Sequence, residues 1–166
     1  MAELEQLIAH RRALGLDGFD EVWEGEYHVA PHAHSDHGII SRALGVALDP
    51  FAQRAGLLGL DAFNLGDPRD YRVPDGGFVR GRPGTLYVPT AAVVVEVVSP
   101  DDETFAKLPF YVAHGVEEVL VALPEQQQVR CFDLTSGEPV LTAASAVLGI
   151  TMQDLTAAIA WPGSTD

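Results

Sequence analysis

An α/β fold with one mixed central β-sheet flanked by α-helices is predicted by three features of the 166 residues. Ala91 to Pro100, AAVVVEVVSP, is a nearly unbroken valine run stopped by Ser99-Pro100. That is the pattern of a strand covered on both faces in a parallel or mixed sheet. Helix and strand patterns also alternate along the chain instead of segregating. Finally, 47% hydrophobic and 20% charged residues describe an ordinary globular chain, large enough to bury a core without staples. The length predicts a single domain spanning 1–166.

The elements follow in order. Leu4, Leu7, Ile8 and Leu14 recur at helical spacing and Gly15 follows as a stop, so residues 3–14 read as an amphipathic helix. Arg11 and Arg12 suit the negative end of its dipole. Residues 20–30, DEVWEGEYHVA, read as a strand or hairpin with Gly25 at a turn or bulge. Ser35 can cap a helix that places Ile40, Leu44, Ala47 and Phe51 on one face, limited or kinked by Pro50 and closed at Gly56. LLGLDAFNL, 57–65, reads as the next strand. From Gly66 to Pro89 turn formers crowd in, leaving room for short strands at 77–80 and 86–88. Past the valine run, residues 101–104 supply caps and first-turn acids for a helix through Ala113, ended by Gly115. Pro109 inside it demands a late start or a kink. Residues 118–122 and 128–134 read as strands joined across Pro124, Met152 to Ala160 as a final short helix, and 162–166 as a tail.

Composition narrows the function classes. No apolar run approaches the roughly 20 residues of a membrane span, and no basic, apolar leader opens the chain; the expectation is a cytoplasmic protein with no membrane partner. The lone Cys131, in VRCFDL, reads as a small buried apolar residue. With a net charge of -14 and ten Lys and Arg residues, the chain repels polyanions. A nucleic-acid enzyme of this kind needs a local basic patch or a metal.

The misfit in the valine run is Glu96. A bare carboxylate there is costly, so it is protonated, paired with a cation or bound to a metal. Asp75, in RVPDGG, and Lys107, on the segment after the central strand, are its candidate companions. Two carboxylates from neighbouring strand ends can hold a hard divalent cation, Mg²⁺ or Mn²⁺. That cation can polarise a phosphoryl oxygen, and an ammonium can stabilise negative charge in the transition state. The other reading of the same residues is a structural salt bridge between Glu96 and Lys107.

Two further clusters stand out. PHAHSDHG carries His32, His34, Asp36 and His37 in the pattern H-x-H-x-D-H, which resembles the metal motif of the metallo-β-lactamase superfamily. Imidazoles so spaced can bind zinc, but that fold needs further histidines, and only His114 follows; the alternative is a solvated loop leading into a helix. Glu21, Glu24 and Glu26 lie near Trp23 and Tyr27. Glu24 and Glu26 read as solvent-facing, and Glu21 is retained as a further metal or water ligand.

Taken together, WEGEYHVAP, RVPDGG, VVVEVVSPDDE and KLPFYVAHGVEEVLVALP resemble the Uma family, a bacterial branch of the PD-(D/E)XK nuclease superfamily. The likeness covers about residues 20–135. The family pattern E-x-x-D-G-E is similar to Glu21 to Glu26, with Glu24 where the family often has aspartate. The proline-preceded metal aspartate matches Asp75, and the acid of the central strand matches Glu96. Val98 stands where the superfamily motif has lysine, and Lys107 fits the place to which this branch moves it. The resemblance implies a restriction-endonuclease-like fold, a divalent metal on Asp75 and Glu96, catalysis by these acids with Lys107 and Glu21, a homodimer, and hydrolysis of DNA. The rival from another class is a catalytically silent nuclease-fold module that binds protein or nucleic acid. It is motivated by the acidity, by Val98 and by the lack of a basic, aromatic-rich stripe.

Overall fold

The computed structural model describes residues 2–30, 34–100 and 103–163. Helix α1 (Ala2–Ala13) precedes a hairpin of β1 (Glu21–Trp23) and β2 (Glu26–His28). Its two-residue turn has Glu24 and Gly25 at φ 50° and 90°, the doubly left-handed geometry that suits the twist of a tight hairpin. The long helix α2 (Ser35–Arg54) follows. Then come β3 (Leu58–Asp61), β4 (Asn64–Asp67), β5 (Asp70–Arg72), β6 (Gly76–Val79), β7 (Tyr87–Val88) and β8 (Val93–Val97). A 3-10 turn (Thr104–Lys107) leads into α3 (Leu108–Ala113). The chain continues through β9 (Glu118–Leu123), β10 (Gln128–Asp133), β11 (Val140–Thr142), β12 (Ala144–Ser145) and β13 (Ile150–Thr151) to α4 (Met152–Ala157).

The main sheet has the order β11-β10-β9-β8-β6-β3 and is mixed. β8 runs parallel to β9 and antiparallel to β6. A smaller sheet, β2-β1-β5-β4-β7, is also mixed, with β4 parallel to β7. β8 is buried along its whole length, as its valines require. Alternation then sends its side chains two ways. Val93, Val95 and Val97 pack with Ile40, Leu44 and Leu48 of α2 and Leu155 of α4. Val94 packs on the other face with Leu108, Phe110 and Tyr111 of α3 and with Leu65 and Val88 of the small sheet. Glu96, two residues from Val94, shares that second face.

Several expectations need correction. Residues 57–65 are not one strand: β3 joins the main sheet and β4 the small one, because the chain breaks between Asp61 and Asn64. β5 and the strands β11–β13 were missed, since they are short and weakly apolar. Ser35 is the first residue of α2, whereas the cap is His34, whose ring accepts from the Asp36 N–H. Pro50 does not end α2; it lies on the exposed side, where a freed carbonyl can meet water. Pro109 sits in the first turn of α3, where its missing N–H costs nothing, so this helix starts late. The final helix stops at Ala157. The amphipathic reading of α1 has no buried stripe behind it, for Leu4 and Leu7 are half exposed. Residues 101 and 102 of the expected cap, and 164–166 of the tail, lie outside the described residues. Cys131 is fully buried, and burial pushes its thiol up to about 11. Among the described residues no helix is long and apolar enough to cross a membrane.

Candidate active site

The RVPDGG stretch carries the chain from the small sheet to the main one, and most of its residues serve the site. Arg72 ends β5, Val73 and Pro74 cross over, Asp75 precedes β6, and Gly77 lies beside β8. A Cβ on Gly77 would come within 2.7 Å of the Val93 carbonyl. The absence of one is what lets β6 lie close enough to bring Asp75 to the end of β8. There Asp75 Oδ2 accepts the Val97 N–H at 2.7 Å.

Glu96, 2% exposed, points from β8 toward α3. Its Oε1 accepts from the Tyr111 hydroxyl at 2.5 Å, and Lys107 Nζ stands 3.4 Å from the same oxygen. Lys107 also donates to Glu21 Oε1 at 2.9 Å. Glu21 is buried too: its Oε1 takes the Val73 N–H at 2.7 Å and its Oε2 the Trp23 indole N–H at 2.6 Å. One ammonium therefore bridges an acid of the small sheet and an acid of the main sheet. Lys107 and Tyr111 are four apart across the start of α3, the spacing that puts two side chains on one face of a helix.

Asp75 Oδ1 meets His37 Nε2 at 2.7 Å, and His37 Nδ1 stands 3.0 Å from Ser99 Oγ. The first turn of α2 is thereby tied to the mouth of the site. Among the expected residues, Glu21, Glu96 and Lys107 are in mutual contact through the ammonium. Asp75 is close enough for its charge to raise the Glu96 pKa. Glu24 and Glu26 are exposed.

Burial drives the Glu96 carboxyl up to about 7, with Asp75 and Glu21 adding to the rise and Lys107 and the Tyr111 hydrogen bond opposing it. Burial and the neighbouring Glu96 push the Tyr111 phenol well above its ordinary value. Three carboxylates, those of Glu21, Asp75 and Glu96, gather around one lysine, and the raised Glu96 carboxyl is what burial among like charges produces.

The donor chemistry fits a hard cation. Asp75 and Glu96 offer carboxylate oxygens, and Mg²⁺ is commonly held by one or two carboxylates plus substrate phosphate and water, without an all-protein cage. Among the described residues no group of three or more His, Cys, Asp or Glu is placed to hold a metal ion. The histidine cluster falls only in part on described residues. His37 is turned to Asp75, His34 caps α2, and His32 lies outside the described residues.

Tyr111 and His37 were not assigned to this site from the sequence. Tyr111 had a signal, its spacing of four from Lys107 on a segment read as helix. His37 had none, because contact with Asp75 across 38 residues follows from how α2 packs on the sheet.

Comparison with known proteins bears on family and fold. The model of the Uma2 family, described as "Putative restriction endonuclease", matches residues 5–157. The crystal structure of a protein from Anabaena variabilis ATCC 29413, titled a putative nuclease belonging to DUF820, is similar at a TM-score of 0.69 and 14% identity, over 84% of this chain and 90% of that one. At that identity the likeness is one of fold. No curated protein matches the chain.

Proposed function

Since this chain belongs to the Uma2 family, we propose that it is a divalent-metal-dependent nuclease that hydrolyses phosphodiester bonds of DNA at the Glu21, Asp75, Glu96 and Lys107 cluster. The observation that carries this reading is Glu96: an acid buried inside a valine strand, raised by burial, with one ammonium shared between it and Glu21. Asp75 and Glu96 would hold the cation, Mg²⁺ or Mn²⁺. When bound, it would supply Lewis-acid activation of the phosphoryl group and lower the pKa of water.

The protein's own groups have separable tasks. Tyr111 fixes one oxygen of Glu96, which limits the rotation of the carboxylate. His37 and the Val97 N–H orient the two oxygens of Asp75. Lys107, held by Glu21, keeps a positive charge where negative charge develops on the phosphoryl oxygens. Glu21 in turn is held by the Val73 N–H and the Trp23 indole, so the ammonium is anchored before substrate arrives. Because a duplex has two strands and each chain one such cluster, the working form in this reading is a homodimer, acting in the cytoplasm.

The test is incubation of the full chain with plasmid and single-stranded DNA in Mg²⁺, Mn²⁺ or EDTA. Cleavage that needs the metal and disappears in Glu96→Ala and Lys107→Ala supports the proposal; absence of metal-dependent cleavage, or equal cleavage by both variants, overturns it. A second reading, a catalytically silent module, draws on the salt bridges that Lys107 already makes with both glutamates. It predicts no specific uptake of Mn²⁺ in calorimetry.

A further inference from the structure

A buried guanidinium lies between the two halves of this site. Arg72 is 5% exposed, with the Trp23 ring centroid 4.4 Å from its Cζ and the Phe110 centroid at 4.0 Å. The stack continues outward on both sides: His28 lies on Trp23 at 4.6 Å and His114 on Phe110 at 3.8 Å. Trp23 and His28 belong to the hairpin of the small sheet, and Phe110 belongs to α3, with His114 capping that helix. Arg72 Nη1 ties the guanidinium to β1 and β5 through the Val22 carbonyl at 2.8 Å, Asp70 Oδ1 at 2.8 Å and the Tyr71 carbonyl at 3.2 Å.

The two rings that flank Arg72 also border the reacting groups. The Trp23 indole N–H holds Glu21, and Phe110 directly precedes Tyr111, which holds Glu96. A closed ring of contacts results: Arg72 to Trp23, Trp23 to Glu21, Glu21 to Lys107, and Lys107 through the start of α3 back to Phe110 and Arg72. One guanidinium thus touches both the hairpin that carries Glu21 and the helix that carries Tyr111.

Packing alone does not account for an arginine here. Its Nε is buried without a hydrogen-bond partner, which is a cost that an apolar residue of similar volume between two rings would not incur. Arginine alone offers a flat cation that stacks on both faces while its edge donates. Gly66 makes room for the arrangement, for a Cβ there would come within 3.0 Å of the Phe110 ring.

The geometry points to Arg72 as a positioning residue that registers Glu21 and Lys107 against Glu96, without touching substrate itself. This rests on the nuclease reading above for its kinetic consequence but not for its structural one. Lysine in its place keeps the charge and loses the planar bridge between the rings.

The test uses the full chain carrying Trp161→Phe, so that Trp23 is the sole indole, with and without Arg72→Lys. The expected result is a red-shifted Trp23 emission, loss of the emission change that Glu21→Gln causes in the parent, and a kcat lower by roughly 10- to 100-fold with KM within about twofold. Unchanged emission overturns the inference, as does altered emission with an unchanged kcat, which would make the stack structural only. If the parent cuts no DNA, the nuclease reading fails and the two emission arms decide alone: both altered supports the clamp, either unchanged overturns it. Should Arg72→Lys not fold, Phe110→Leu removes one face of the stack and takes its place in the same measurements, where the same results support or overturn the inference.

Discussion

Tyr111 and Lys107 approach one and the same oxygen of Glu96, at 2.5 and 3.4 Å, from positions four residues apart at the start of α3. A hydroxyl and an ammonium thus share one carboxylate oxygen in the interior. Removing the hydroxyl takes from a buried acid the hydrogen bond that Tyr111 donates, leaving the ion pair with Lys107, and hydrogen bonds to charged groups are worth about 1.5–3 kcal/mol. Tyr111→Phe should therefore unfold at lower denaturant, by about that amount, with metal-dependent cleavage reduced. Equilibrium urea unfolding at pH 8 checks the first and plasmid cleavage the second.

The raised Glu96 carboxyl makes stability depend on pH in the direction opposite to an ordinary paired acid. Its folded value, about 7, lies above its ordinary value of 4.5. Its contribution is fully present below the lower value and is lost as pH rises through the upper one. Glu96→Gln removes that titration and the buried charge. In EDTA, the variant should gain on the parent as pH climbs from about 4.5 toward and past 7. Thermal unfolding across that range measures the difference, and parallel curves would sink the prediction.

Asp20 behaves in the usual sense. It is 1% exposed and gathers the Arg11 guanidinium, the Tyr27 hydroxyl and the Ala30 N–H, tying α1 to the hairpin. Burial alone would raise its carboxyl, but those partners together outweigh burial and hold it below 3.8. Its stabilisation is present above that value and is lost as pH falls through the lower, folded one. Asp20→Asn should cost roughly 2 kcal/mol near neutrality and flatten the acid limb of the unfolding curve below about pH 4. Acid titration followed by circular dichroism reads both.

Gly66 is held at φ +124°, and a Cβ there would meet the Asp70 carbonyl at 2.4 Å as well as Phe110. Both the backbone conformation and the space are denied to alanine. Gly66→Ala should destabilise by roughly 2–4 kcal/mol, far more than Gly137→Ala, which is also at positive φ but meets nothing within 4 Å. Paired denaturant melts of the two variants separate the clash from the backbone strain.

The central strand, its buried acid and the acid that precedes the neighbouring strand were legible because each carries a local signature. A valine run interrupted by Glu96 states burial and charge at one position, and Pro74-Asp75-Gly76-Gly77 states a turn into a strand. What sequence could not show was contact made by packing. Arg72 looks like any strand-end arginine until Trp23 and Phe110, 49 residues before it and 38 after, bring their rings against its guanidinium. The break at Asp61 to Asn64 hid in an apolar stretch whose pattern suits one strand as well as two. In α1, periodicity announced an apolar stripe, but nothing local could say that Leu4 and Leu7 would remain half exposed.

Lys107 is the point where the enzyme and the silent module make opposite predictions. Its ammonium neutralises part of the charge of Glu21 and Glu96 and stands at the Glu96 oxygen. Lys107→Met removes a cation that repels any incoming divalent ion, while leaving the carboxylates of Asp75 and Glu96 in place. Mn²⁺ should then bind more tightly in calorimetry, since two unit charges about 4 Å apart interact by roughly 4 kcal/mol at an effective dielectric of 20 and only part of this is recovered. Cleavage should move the other way, down by roughly 100- to 1,000-fold, because the charge that meets the developing negative oxygen is gone. Tighter metal would follow from removing any cation beside these carboxylates, so the loss of turnover is what separates the enzyme from the silent module, which has no turnover to lose.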